Sequence, residues 1–121
     1  MPKIALMASF LVLATFASAE TRSAQDMAKE CRVALDVVNG RNQTSEGTLF
    51  TGECIGYIQG ASDVSMAMKD NVPWFKVCLP DTVSTITLIQ KFIAFVDRNP
   101  KYTLASTAFE LMLAQQYPCP K

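Results

Sequence analysis

Apolar residues recur along the chain at three- and four-residue spacing, a period that predicts helices rather than strands. Met27, Cys31, Ala34, Leu35 and Val38 trace one face of a first helix over about residues 23–38. Asn39-Gly40 ends it, because both residues tolerate the left-handed conformation. Residues 40–50 are polar and carry two glycines, so they predict the longest loop of the domain. Ile55, Ile58, Val64, Met66 and Met68 mark a second helix over about residues 52–69, stopped by Asn71-Val72-Pro73.

The second half repeats the pattern. Asp81 or Thr82 supplies a cap for a third helix, in which Val83, Ile86, Ile89, Ile93 and Val96 form a stripe that Leu88, Phe92 and Phe95 widen. A helix apolar on most sides belongs at the centre of the fold, and Asn99-Pro100 closes it because a residue before proline avoids the helical region. A fourth helix over about residues 103–116 carries Leu104, Ala108, Leu111 and Gln115 on one face, with Phe109, Met112 and Leu113 beside it. The short connection makes the last two helices antiparallel neighbours. The expected fold is all-α, a compact bundle of four to five helices.

The start of the chain reads differently. Lys3, the apolar run Ile4 to Phe16 and the small-residue site Ala17-Ser18-Ala19 predict a cleaved signal peptide over residues 1–19, leaving a single domain over 20–121. The run is about thirteen residues, short of the roughly twenty a bilayer span needs. No cysteine follows the small residues, which argues against a lipid anchor. The expected destination is the periplasm or the extracellular space. The formal charge is zero from eleven basic and eleven acidic residues, and removing Lys3 leaves ten against eleven, a balance of minus one. Such a chain has no basic field for nucleic acid or an anionic membrane.

Four cysteines in a short exported chain predict two disulfides. Three connectivities are open. The helical layout favours Cys78 with Cys119, since these flank an antiparallel hairpin, and by elimination Cys31 with Cys54, joining the first helix to the second. The absence of histidine removes the usual base of a cysteine protease and the usual ligand of a zinc site, so no metal or cofactor set is expected.

Gly52, Gly56 and Gly60 recur every fourth residue and clear one side of the second helix. Each costs a helix up to about 1 kcal/mol against alanine, which predicts close packing of another backbone there or a groove for a partner.

The segment Phe50-Thr51-Gly52-Glu53-Cys54-Ile55-Gly56-Tyr57-Ile58-Gln59-Gly60 resembles the signature of the Rap/Tai family, periplasmic immunity proteins against type VI secreted toxins. So do Val77-Cys78-Leu79-Pro80, Asn99-Pro100 and the closing Tyr117-Pro118-Cys119. The resemblance covers nearly all of the chain beyond residue 20. It implies a non-enzymatic periplasmic protein that binds a cognate toxin, a peptidoglycan amidase in the best-matched branch, and blocks its active site, often as a homodimer.

Candidate contact residues come from the chain itself. Trp74 and Phe75 lie together in a connection, where aromatic residues either anchor interfaces or cover the core. Arg41, Asn42 and Glu46 are polar residues of the 40–50 segment, and Arg98 lies at the Asp97–Lys101 corner. Two other classes compete. A hydrolase would use paired carboxylates, Glu53 with Asp63 or Asp63 with Asp70, or a Ser65–Lys69 pair. A helical chaperone or small-ligand carrier would use the methionines, Met66 and Met68 among them, to line a cavity.

Overall fold

Three of the four helices begin on a hydroxyl that accepts a backbone N–H left unpaired by the first turn. In the computed structural model, which describes residues 21–121, α1 spans Ala24–Val38, α2 Ser45–Asn71, α3 Thr85–Arg98 and α4 Ala105–Gln116. The expected signal segment, residues 1–19, lies outside the described residues. Ser23 caps α1 through the Asp26 N–H at 3.0 Å, Thr44 caps α2 through the Gly47 N–H at 3.0 Å, and Ser84 caps α3 through the Thr87 N–H at 3.1 Å. Helix α4 starts at Leu104 without a side-chain cap. Instead the Ala105 N–H donates to the Arg22 carbonyl at 3.0 Å, while the Ala24 N–H donates to the Thr103 carbonyl at 2.7 Å. The starts of α1 and α4 thus satisfy each other's backbone.

The core draws on every helix. Helix α1 contributes small buried residues, Ala24, Ala28, Cys31 and Ala34, so α2 can lie close along it, and this pair shares the most extensive helix contact. Helix α3 packs against all three others through Leu88, Ile89, Phe92, Phe95 and Val96. Phe92 meets Phe109 of α4 edge to face at 6.0 Å between ring centres, an arrangement that suits the charge distribution of the rings. Both expected disulfides are present, Cys31–Cys54 and Cys78–Cys119.

Three expectations need correction. The segment 40–50 is not the longest loop, because Thr44 caps α2 and the helix is under way from Ser45. The longest connection instead runs over residues 72–84, and α3 is capped by Ser84 rather than Asp81 or Thr82. The close-packing role assigned to Gly52, Gly56 and Gly60 also fails. All three are exposed, and a Cβ built on any of them meets nothing within 4 Å. The tight glycine is Gly47, where a Cβ would stand 2.4 Å from the Asn42 carbonyl oxygen as the connector folds over the first turn of α2.

Candidate partner-binding surface

The residues with candidate contact roles occupy separate places. Trp74 and Phe75 follow the C-terminus of α2 in a turn closed by the Phe75 N–H on the Val72 carbonyl at 3.0 Å. There the two rings part company. Phe75 packs against the core, and Trp74 stands out with 80 % of its surface exposed. The turn has a firm base just beyond it: Val77 is buried and bridged to Pro118, the Cys78 N–H donates to the Tyr117 carbonyl at 2.8 Å, and the Cys119 N–H to the Lys76 carbonyl at 3.1 Å. The Cys78–Cys119 bridge fastens the same place.

Arg41, Asn42 and Glu46 lie at the other end of α2. A helix of 27 residues spans about 40 Å, so this group and Trp74 do not form one patch. The connector is a hydrogen-bonded structure in its own right. The Arg41 guanidinium pairs with Asp36 at 2.6 and 3.2 Å, Gln43 donates to the Val37 carbonyl at 2.8 Å, and Asn42 sits at a positive φ of 52°. Glu46 is exposed in the first turn of α2, where a carboxylate suits the helix dipole. Arg98 ends α3, donates to the Ala94 carbonyl at 3.1 Å and lines a groove between α3 and α4 of about 410 Å³ with Lys91 and Gln116.

A second groove, of about 350 Å³, runs between α2 and the connection that carries Trp74. Gln59, Ser62, Asp63 and Met66 form one side, with Leu79, Pro80 and Asp81 on the other. It places Met66 on an open surface. A third, about 370 Å³, is walled by Gly56, Gly60, Ala61 and Val64 of α2 and by Ser106 and Glu110 of α4, and is lined mainly by apolar atoms.

Of the carboxylates considered for a hydrolase, Glu53 belongs to an ion-paired cluster with Arg22 and Glu30. Glu53 is held by Arg22, whose Nη2 also reaches Glu30 at 2.9 Å. Burial raises the Glu30 carboxyl above its ordinary range, Arg22 opposes that, and the neighbouring Glu53 adds to it. Ser65 is buried and bonded to Glu110 of α4 rather than to Lys69, which is exposed. Burial likewise raises Glu110, and it raises Tyr57, on which the Glu110 charge acts in the same direction. The Ser65–Glu110 contact had no signal in the sequence, since the two residues lie 45 positions apart. Among the described residues no group of three or more acidic, cysteine or histidine side chains could hold a metal, and no helix is long and apolar enough to cross a membrane.

Among the described residues the frame is four helices, three of them with a side-chain cap, and two cross-links. The model of the family described as Rap1a immunity proteins matches residues 23–119. The chain belongs to that family. The match begins at the Ser23 cap and ends at Cys119, so the Rap1a immunity domain takes in all four helices and both disulfides. No curated protein and no solved structure matches the chain significantly. What the Rap1a family shares with this chain therefore concerns the domain as a whole, and the surface has to be argued from the residues above.

Proposed function

We propose that the protein neutralises a secreted toxin in the periplasm by occupying its active site one to one, with no chemistry of its own. Residues 1–19 would direct export and be removed, and residues 20–121 would form the working domain. Family membership supports the immunity role, and two disulfides fit an oxidising compartment. A peptidoglycan amidase is the toxin class that the resemblance favours.

The observation that carries a binding rather than a catalytic role is Trp74. It is the single tryptophan, and it stands outward on a turn braced by a disulfide and two backbone hydrogen bonds. An aromatic ring held this way offers a large apolar contact with little ordering cost on binding. Arg41, Asn42 and Glu46 lie at the far end of α2 from it, and we assign them and Arg98 secondary contacts.

The test uses the mature, disulfide-bonded protein and the toxin encoded beside its gene. An equimolar mixture should abolish toxin activity, and Trp74→Ala should weaken binding by about thirtyfold, near 2 kcal/mol, while leaving the melting temperature unchanged. A neighbouring gene that encodes no toxin, with no toxin retained by the protein, would sink the proposal.

A further inference from the structure

Ser65 is 1 % exposed, and its hydroxyl faces two oxygens: the Ala61 carbonyl at 2.9 Å and Oε1 of Glu110 at 2.5 Å. A hydroxyl has one hydrogen to donate. With Glu110 ionised, both neighbours are acceptors and one contact lacks a proton. The other carboxylate oxygen, Oε2, is buried with no hydrogen-bond partner, so ionisation also leaves charge on an unsatisfied atom. With a proton on Oε1 the account closes. Glu110 then donates to Ser65, Ser65 donates to the Ala61 carbonyl, and Oε2 becomes a neutral carbonyl oxygen.

Burial raises the Glu110 carboxyl more than a hydrogen bond donated by Ser65 lowers it, and the single Ser65 proton is also claimed by the Ala61 carbonyl; no charge nearby adds to the lowering. Among the described residues no basic side chain forms an ion pair with Glu110. Of the titratable groups on α1, α2 and α3, which all pack against α4, Tyr57 of α2 is the one coupled to the Glu110 charge, and its phenol is neutral in the range considered.

We propose that Glu110 is a proton-operated clamp between α2 and α4, closed when the neutral acid donates to Ser65 and weakened when it ionises. The same carboxyl borders the apolar groove of Gly56, Tyr57, Gly60, Ala61, Val64 and Ser106, so the charge at the edge of that groove follows the proton. The sign of the pH dependence follows from burial. The folded state holds this proton more tightly than the unfolded chain, so stability rises as pH falls through the raised folded value and levels off below the ordinary glutamate value.

Thermal melts of the oxidised protein between about pH 8 and about pH 4 test the clamp, with the ¹³C shift of the Glu110 carboxyl followed over the same range. The wild type should melt a few degrees higher in mild acid, and the carboxyl should titrate above the ordinary glutamate range. Glu110→Gln, whose amide donates to Ser65 at any pH, should lose much of that rise and melt at or above wild type at neutral pH. Glu30→Gln controls for the other raised carboxylate and should keep the Glu110 part of the rise. A Glu110 carboxyl titrating at or below the ordinary value overturns the clamp. So does a Glu110→Gln variant that keeps the full rise. Should that variant fail to fold, the carboxyl titration decides alone.

Discussion

The two disulfides hold opposite kinds of structure. Cys31–Cys54 joins the bodies of α1 and α2, and both residues are completely buried. Cys78–Cys119 joins the two segments that flank the α3–α4 pair, and both residues are only partly covered. Loop closure alone ranks the second higher, at about 3.9 kcal/mol for a separation of 41 residues against about 3.4 for 23. The surroundings reverse that order. The ends at Cys78 and Cys119 are also held by two backbone hydrogen bonds and the Val77–Pro118 bridge, whereas the sulfurs of Cys31 and Cys54 are part of the core. A cross-link is worth less where other bonds already fix the same two points.

Replacing each pair by alanine tests that ranking most directly. The Cys31→Ala, Cys54→Ala double variant should lose roughly 5 kcal/mol in urea unfolding, the cross-link together with the volume of two core sulfurs. The Cys78→Ala, Cys119→Ala variant should lose roughly 3, its ends staying close without the bridge. The reverse order would show that loop closure dominates after all.

A second contrast lies within α2. Gly47→Ala should cost about 2 kcal/mol, because its Cβ would meet the backbone oxygen of Asn42. Gly56→Ala should instead stabilise by up to about 1 kcal/mol, since its new methyl enters open space in a helix. If both substitutions destabilised equally, the exposed glycine strip would be packed in solution by something absent from the isolated chain.

The smallest effect belongs to the ion pair between the two halves. Arg32 of α1 pairs with Asp97 of α3, and both side chains are about half exposed. Arg32→Ala should change stability by less than about 1 kcal/mol, and that change should fade in high salt. A larger loss would make this surface contact a real joint between the halves.

Much of the fold was legible in the chain. Asn39-Gly40, Val72-Pro73 and Asn99-Pro100 mark the ends of α1, α2 and α3 because their conformational preferences act over one or two residues. The cysteine pairing followed from helix order. The sequence pattern places the start of α2 too late because Gly47 reads as a loop residue, yet it serves a tight approach in a helical turn that Thr44 caps. For the surface, Trp74 and Phe75 are neighbours of similar character, and nothing in their local sequence says which faces the core.

The sequence by itself therefore determined the helical class, the order of the helices and where three of them end, and it favoured the right cysteine pairing, since periodicity and breakers are local and four cysteines allow few layouts. Only the tertiary structure decided which glycine is crowded, which aromatic faces solvent, and that Ser65 meets Glu110 across 45 residues. Each depends on distances between segments remote in the chain, and such distances are set when the helices pack.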